Sequence, residues 1–408
     1  MTPHVIVVGL GFGDEGKGAV VDALCARGPV TTVVRFNGGA QAAHNVVADG
    51  RHHTFSQYGS GTLAGVPTHL SRHVLVEPVA LATETRELAA LGVPDPLALL
   101  TVHADALLTT PLHIAANRAR EDARGDNRHG SCGKGIGETV WYSLLTGHHP
   151  GETVEHQEVL GHPGPAPTVG DCRNPTLLRR KLDTLARFYE PLIGAGTHVD
   201  DLIHLYTAFA DAVRIVEGDH VGALADTGRL VFEGAQGVLL DETHGFHPHT
   251  TWSTTTPRNA LDLLRGRPAR VLGVTRTYHT RHGAGPFPTE DNTLPFPELH
   301  NDTGVYQGAW RTGHFDAVLF RHALACARPD ALAVTHQDTP ATHLATAYHS
   351  PTGPTTTLPT TDSRHLRACT PVLEPFTPDW FDHLDIPVEV TGHGPDRTAY
   401  NVRTPTPA

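Results

Sequence analysis

The sequence predicts an α/β protein with a mainly parallel central sheet, helices on both faces of the sheet, and a P-loop-like phosphate-binding loop after the first strand. Short apolar runs of strand character alternate with segments of helical periodicity along the chain. Such alternation is typical of parallel sheets built from strand–helix–strand units. In addition, a glycine-rich segment, residues 9–18, lies between the first apolar run and the first helical segment.

The predicted elements follow one another without a clear linker or internal repeat, so we expect a single domain over residues 1–408 with loop and subdomain elaborations. The predicted strands are 5–8, 31–36, 97–102, 230–232, 270–274, 331–334 and 388–390, and the predicted helices begin with 19–24 and continue with 79–91 and 316–327. Residues 143–168 are rich in Gly, Pro and His and predict a long excursion, and residues 355–361 predict a surface loop.

Composition excludes several classes of protein. The formal net charge is −12 and no basic stripe is present, which argues against a nucleic-acid partner. No apolar run is long enough to span a membrane and no signal region opens the chain, so we expect a cytoplasmic protein that does not bind membranes. The five cysteines are scattered and never form a CxxC pair, which indicates reduced thiols.

The glycine-rich segment GLGFGDEGKG, residues 9–18, predicts the binding of an anion. Backbone N–H groups in such a loop can converge on a phosphate at the positive end of the following helix, while Lys17 supplies a point charge. The spacing Gly11-x4-Gly16-Lys17 matches the P-loop, but Gly18 stands where that motif has a magnesium-binding Ser or Thr. Asp14, inside the loop, is the candidate replacement as metal ligand.

The thirty histidines raise the question of a metal site. The densest cluster, at residues 244–249, lies in a segment interrupted by Gly and Pro and lacks fixed ligand spacing. We interpret these histidines as surface or substrate-loop residues in preference to zinc ligands.

Six blocks of sequence, in order, are similar to those of the adenylosuccinate synthetase family, and the likeness covers most of the chain. They are GFGDEGKG at 11–18, NGGAQAAH at 37–44, GKGIG at 133–137, FEGAQG at 232–237, TRHGAGPFPTE at 280–290 and GPDR at 394–397. Enzymes of this family join aspartate to inosine monophosphate (IMP) at the expense of GTP. The resemblance therefore implies a carbon–nitrogen ligase, with Mg²⁺ as cofactor, GTP as co-substrate, and a homodimeric state.

The resemblance also implies roles for individual residues. Asp14 would take the proton from N1 of the purine and, with Ala43, hold magnesium, and His44 would stabilise charge on the transferring phosphoryl group. Nucleotide contacts are implied for Gly13, Glu15, Gly16, Lys17, Gly18, Asn45, Asp338, Gly392 and Gly394. Substrate contacts are implied for Asp14, Lys17, Gln41, His44, Cys132, Gln236, Thr251 and Arg311.

Several positions depart from the family pattern, and these bear on the substrates. Ser131-Cys132 replaces a pair of Thr, and the Arg-rich stretch that lends an arginine to the neighbouring subunit's acceptor phosphate is replaced around Thr146. The arginines of the aspartate-binding loop align with Gly308 and Trp310, so Arg311 alone remains near them. The guanine-reading motif keeps Asp338 but has His and Gln at 336 and 337.

We therefore predict an unaltered phosphoryl-transfer centre with changed acceptor or amine specificity. Within the ligase hypothesis, an ordinary adenylosuccinate synthetase and a paralogue acting on another oxo or carboxyl substrate, for instance in specialised metabolism, both stay open. A catalytically silent nucleotide-binding regulator is the alternative from another class. Asp14, Lys17 and His44 argue against it, because a silent protein needs neither a base nor a charge-stabilising donor.

Overall fold

The computed structural model describes residues 3–145, 164–196, 198–296, 304–339, 341–358 and 360–403. Within these ranges the strands are β1 (His4–Gly9), β2 (Val30–Arg35), β3 (His44–Ala48), β4 (Arg51–Phe55), β5 (Thr68–Leu70), β6 (Leu75–Val76), β7 (Leu100–His103), β8 (Leu107–Leu108), β9 (Arg214–Val216), β10 (Arg229–Gly237), β11 (Ala269–Arg276), β12 (His279–His282), β13 (Trp310–Gly313), β14 (Phe315–Asp316), β15 (Ala331–Thr335), β16 (His343–Ser350), β17 (Gly353–Thr355), β18 (Thr370–Pro375), β19 (Val388–Gly392) and β20 (Tyr400–Val402). The helices are α1 (Lys17–Arg27), α2 (Pro78–Ala90), α3 (Pro111–Arg124), α4 (Ile136–Leu145), α5 (Pro175–Ile193), α6 (Val199–Ala212), α7 (His220–Thr227), α8 (Arg258–Leu264), α9 (Ala317–Ala327) and α10 (Ser363–Arg367).

The central sheet has ten strands in the order β20-β19-β15-β11-β1-β10-β2-β5-β7-β9. Each neighbouring pair is parallel except β19 and β20, which are antiparallel at one edge. The predicted α/β class with a mainly parallel sheet is confirmed. Crossover connections of this kind place helices on the sheet faces.

Strand β1 shows why the middle of the sheet is buried on both faces. Successive side chains of a strand point to opposite faces, and here Val5 and Val7 pack in one apolar cluster with α1. Ile6 and Val8 pack in a second cluster with Phe232 and residues of α8 and α9. A continuous apolar run therefore marks a central parallel strand.

Helices α2 and α3 each begin with a capping residue followed by proline. Glu77 accepts hydrogen bonds from the N–H groups of Val79 and Ala80 at 3.0 and 2.6 Å, with Pro78 as the first residue of α2. Thr110 caps α3 in the same way, ahead of Pro111. The predicted helix at 79–91 is thus displaced by one residue, because Pro is favoured in the first turn of a helix.

Two sequence predictions need correction. Residues Leu97–Leu99 form a 3₁₀ turn, and the strand predicted at 97–102 begins at Leu100. Of the excursion predicted at 143–168, Ser143–Leu145 belong to the end of α4, and residues 146–163 lie outside the described residues. Apolar residues alone do not separate a turn from a strand, which accounts for the first error.

Several smaller sheets are separate from the central sheet. Strands β3 and β4 form a hairpin, β12 pairs with β13, and β16 pairs with β14, β17 and β18. Among the described residues, no helix is long and apolar enough to cross a bilayer. The five cysteines are free thiols.

Candidate active site

The phosphate-binding loop joins β1 to α1, and its glycines are required by its shape. Gly16 has a φ of +88° immediately before α1, a conformation that other residues adopt at a cost. Gly18 is needed for a different reason, since a Cβ there would lie 2.6 Å from the Cβ of His44. The Ser or Thr of an ordinary P-loop would therefore displace β3 and its histidine.

Glu15 and Lys17 form a buried ion pair within this loop. The Glu15 carboxylate accepts hydrogen bonds from the backbone N–H groups of Gly11 and Gly13 at 2.9 and 2.8 Å, and from the Lys17 ammonium at 2.6 Å. Lys17 also donates to the Gly13 carbonyl at 2.7 Å. The N–H groups of Gly11 and Gly13 thus bind the Glu15 carboxylate. Glu15 therefore has a structural role, because it holds the loop in its conformation.

Two cavities meet beside this loop. The large cavity has a volume of about 640 Å³ and the small cavity about 200 Å³. Both are lined by Gly13, Asp14, Ala43 and His44, which we call the junction. The residues predicted to catalyse phosphoryl transfer and to hold magnesium, Asp14, His44 and Ala43, therefore lie together at the boundary between the two cavities.

The small cavity brings together most of the predicted nucleotide contacts. Gly16, Lys17, Gly18, Asn45, Asp338 and Gly394 line it, together with Arg276, His336 and Tyr400. Glu15 and Gly392 do not, since Glu15 is turned into the loop and a Cβ at Gly392 would meet the ring of Tyr400 at 2.7 Å. Gly392 thus allows close packing of Tyr400, which itself lines the cavity.

The large cavity brings together residues that are far apart in the sequence. Gln41, Cys132, Gln236 and Thr251, all predicted to contact the acceptor, line it. The side-chain oxygens of Gln41 and Gln236 are buried without a hydrogen-bond partner among the described residues. Gln236 also has a φ of +61°, which is uncommon for a residue other than glycine and is found mostly at functional sites. Both amides are suited to bind a polar ligand.

Burial shifts the pKa of Asp14 at the junction. It raises the pKa of Asp14, although His282, Arg276 and Lys17 oppose this shift. A carboxyl group with a raised pKa is a better proton acceptor near neutral pH than an ordinary aspartate. Arg276 donates through Nε to the Asp14 carbonyl and so fixes the loop at this residue.

Glu233 orients His44, and the sequence interpretation assigned it no role. Its Oε1 lies 2.6 Å from Nδ1 of His44, and its Oε2 accepts from the Ser60 N–H at 2.9 Å. His44 and its neighbours lower the pKa of Glu233 despite its burial, whereas burial lowers the pKa of His44 and Glu233 opposes that shift. The ionised carboxylate thus favours a proton on Nδ1 and fixes the imidazole ring. A glutamate inside an otherwise apolar strand is unusual, and this feature of the sequence could have indicated a role for Glu233.

The structure does not bring Arg311 to the lining of either cavity. Its guanidinium group pairs with Glu290, through Nε at 2.9 Å and through Nη2, and donates to the Gly283 and Gly285 carbonyls at 2.9 and 3.1 Å. Arg281, its cross-strand partner, donates to the carbonyls of Ala284, Pro286 and His249. The replaced stretch around Thr146 lies outside the described residues.

The histidine-rich segment contributes one histidine to the lining of the large cavity. His249 lines the large cavity, and its Nδ1 lies 3.1 Å from the His129 carbonyl. His247 contacts the Glu242 carbonyl through Nε2 at 2.8 Å. In the described ranges, no three His, Cys, Asp or Glu side chains are grouped to hold a metal ion.

The chain thus has a mainly parallel α/β fold in which two cavities share four lining residues beside the loop between β1 and α1. The family model described as adenylosuccinate synthetase matches residues 6–386, and the chain belongs to that family, whose members are ligases that form carbon–nitrogen bonds. The chain is 33% identical to the adenylosuccinate synthetase of Marinomonas sp. (strain MWYL1), over 83% of this chain and 77% of the relative. It is 31% identical to adenylosuccinate synthetase 1 of Pseudoalteromonas translucida (strain TAC 125), over 97% of this chain and 98% of the relative.

Solved structures share the fold. Fully ligated adenylosuccinate synthetase from Plasmodium falciparum superposes with a TM-score of 0.81 at 20% identity, covering 98% of this chain and 100% of that one. The succinoaminodeoxyadenylate synthetase of cyanophage S-2L, bound to dGMP and to dATP as an energy donor, gives 0.63 at 19% identity, covering 99% and 96%. At these identities the likeness is evidence for the fold.

Proposed function

We propose that the chain is a GTP-preferring carbon–nitrogen ligase that phosphorylates an oxo group of a purine-like acceptor, IMP or an analogue, and replaces the phosphate with an amine. The observation that carries the proposal is the junction, because the same four residues line the cavity that holds most predicted nucleotide contacts and the cavity that holds the predicted acceptor contacts. A phosphoryl group passing from one cavity to the other would cross at Asp14 and His44.

In the first half-reaction, the γ-phosphoryl group moves from the nucleotide to the oxo oxygen of the acceptor, and the nucleoside diphosphate leaves. The oxygen becomes nucleophilic when Asp14 removes the proton from the adjacent ring nitrogen. His44, held by Glu233, would stabilise the charge on the phosphoryl group: Glu233 opposes the lowering of the His44 pKa by burial, and a phosphoryl anion on the other side of the ring would further favour the protonated form with its Nε2–H donor.

In the second half-reaction, an amine attacks the carbon that carries the new phosphate, and orthophosphate leaves with the C–O electron pair. One amine proton is lost as the C–N bond forms. The products are the amine adduct, the nucleoside diphosphate and orthophosphate, so orthophosphate release reports the whole cycle.

The junction suits Mg²⁺. The Asp14 carboxylate accepts no hydrogen bond from the described residues, and a carboxylate with a carbonyl, here that of Ala43, is a set of hard oxygen donors. Magnesium prefers such ligands and keeps phosphate oxygens and waters in the remaining positions. When bound, it would neutralise charge on the triphosphate.

The amine is where we expect the chain to differ from an ordinary adenylosuccinate synthetase. Both guanidinium groups at the centre of the β12–β13 strand pair, those of Arg281 and Arg311, are already engaged. On the next cross-strand pair, His282 and Trp310 contact each other with ring centroids 4.7 Å apart. Aspartate would therefore find aromatic rings where the family supplies cationic forks, and we expect it to be a weak donor.

The central experiment incubates the full-length protein with GTP or ATP, Mg²⁺, and a panel of oxo acceptors and amino acids, and measures orthophosphate together with adduct mass. Orthophosphate and adduct in equal amounts would support the ligase. Retained nucleotide binding without turnover for any pair would favour the regulatory alternative. Sedimentation of the same sample tests the homodimer that the family resemblance implies.

A gain-of-function variant tests the amine assignment. Trp310→Arg restores a cation at a position where the family has one, so we expect the KM for aspartate to fall at least tenfold, the effect of one charge-assisted pair. Trp310→Phe is the matched control, since it keeps an aromatic ring without a charge. A submillimolar KM for aspartate in the unaltered protein, with turnover near 1 s⁻¹ as an order of magnitude for an enzyme on its own substrate, would refute the assignment.

A further inference from the structure

One wall of the large cavity is formed by α3 and α4, on the side away from the phosphate-binding loop. Its charged residues are arranged in pairs. Arg120 Nε lies 2.8 Å from Glu138 Oε1, and Arg124 Nη1 lies 2.5 Å from Glu121 Oε1. We call these four residues the paired wall.

The carboxylates of the paired wall are fixed by further contacts. Glu121 is 1% exposed and also accepts from the His129 N–H at 3.1 Å. Glu138 is 10% exposed and accepts from the Tyr189 hydroxyl at 3.1 Å. Because the glutamates are buried and multiply bonded while the arginines are about one-third exposed, a ligand cannot easily separate the pairs.

The described side chains that line the large cavity carry no net formal charge, apart from histidines. Their cations are Arg120, Arg124 and Arg281, and their carboxylates are those of Asp14, Glu121 and Glu138. Arg281 is bound by three backbone carbonyls.

The residues of the loop before α4 that line the cavity offer few strong hydrogen-bond donors. Asn117 Oδ1 accepts from the Ser131 hydroxyl at 2.9 Å and from the Gly135 N–H at 3.1 Å, so both donors are engaged. Burial raises the pKa of the Cys132 thiol, which keeps it a neutral and weak donor. Trp141 lines the same region and stacks under the Arg120 guanidinium, which lies 4.9 Å from its ring centroid.

We propose that the acceptor presents an uncharged group to the paired wall, as a purine nucleoside does, and that a phosphate monoester is disfavoured there. A dianionic phosphate would meet guanidinium groups whose charge is already compensated by the buried Glu121 and Glu138, whereas hydroxyl groups and an apolar sugar face suit aromatic rings and neutral donors. This inference rests on the proposed function, because it assumes a purine-like acceptor in the large cavity.

The test compares inosine with IMP as ligands of the full-length protein, by calorimetry in the presence of GDP and Mg²⁺. Inosine should bind at least as tightly as IMP. A site built for the phosphate would instead favour IMP, and tighter binding of IMP would overturn the inference while leaving the ligase proposal intact. Binding of neither would overturn the purine acceptor itself and this inference with it.

Charge variants make the test independent of the absolute affinities. Glu138→Gln and Glu121→Gln each leave an arginine without its anion, so the affinity for IMP should rise roughly tenfold while that for inosine changes less than threefold. Asp200→Asn is the matched control, because Asp200 pairs with Arg179 at 2.5 Å outside the cavity. Unchanged affinity for IMP in both glutamine variants would overturn the role of the paired wall.

Discussion

Replacing Glu233 by glutamine tests whether the Glu233 carboxylate holds the His44 imidazole in position at the junction. The variant keeps the shape of the side chain and its acceptor for the Ser60 N–H, but removes the charge 2.6 Å from Nδ1 of His44. An uncharged amide no longer favours the protonated imidazole, and a neutral ring stabilises charge on the phosphoryl group less well. We therefore expect a loss of catalysis without a loss of substrate binding.

The size of the effect follows from the contact that is lost. A hydrogen bond to a charged group contributes about 1.5–3 kcal/mol. Both partners are buried, with His44 6% and Glu233 0% exposed, so solvent screening reduces this value little. At about 1.4 kcal/mol per factor of ten, kcat should fall roughly 10- to 150-fold.

The assay is steady-state orthophosphate release with the acceptor and amine that turn over fastest. Glu233 lines neither cavity, so the KM for the nucleotide should stay within about threefold of the unaltered value. Glu84→Gln is the matched control. Glu84 is also buried and accepts from the N–H groups of Ser56 and Gln57 at 2.9 and 2.8 Å, yet it touches neither cavity.

Two outcomes would refute this reasoning. A kcat within threefold of the unaltered protein in Glu233→Gln would show that the carboxylate does not position His44. An equal loss in Glu84→Gln, at matched folded fraction by circular dichroism, would show that removing any buried glutamate charge from this half of the fold impairs turnover.

Three further predictions concern single residues. Asp14→Asn and His44→Asn should each lower turnover by roughly 10²-fold or more while nucleotide binding, measured by calorimetry, changes only a few fold; near-normal turnover would remove that residue from the mechanism. GTP should give a higher kcat/KM than ATP, and Asp338→Asn should reduce this preference about tenfold, because the carboxylate suits the N–H donors of guanine; equal or better kcat/KM with ATP in the unaltered protein would contradict this. Burial raises the pKa of Asp316 from 3.8 to about 6, so its contribution to stability is fully present below pH 4 and is lost as the pH rises through 6. Relative to Asp316→Asn, the unaltered protein should therefore lose about 3 kcal/mol of unfolding free energy between about pH 3 and pH 7, at about 1.36 kcal/mol per pKa unit; parallel denaturant-midpoint curves for the two proteins would count against it.

The sequence alone determined the fold class and the phosphate-binding loop. The run at residues 5–8 is apolar at every position because β1 is buried on both faces, and that pattern is visible without coordinates. The glycine at 16 follows from local backbone geometry and was recognisable from its spacing, whereas the requirement for Gly18 comes from its close approach to His44. Asp14 and His44 were found because they belong to ordered blocks of motif residues.

The tertiary structure decided which partners these residues have. Nothing in the spacing shows that Glu233 reaches His44 across 189 positions, that Glu15 binds the loop from within, or that Glu290 engages Arg311. Hydrogen bonds and ion pairs of this kind depend on distances of 2.5–3 Å between side chains brought together by the sheet order. Sequence patterns report periodicity and local conformation, so they predict elements well and the pairing of charges within a cavity poorly.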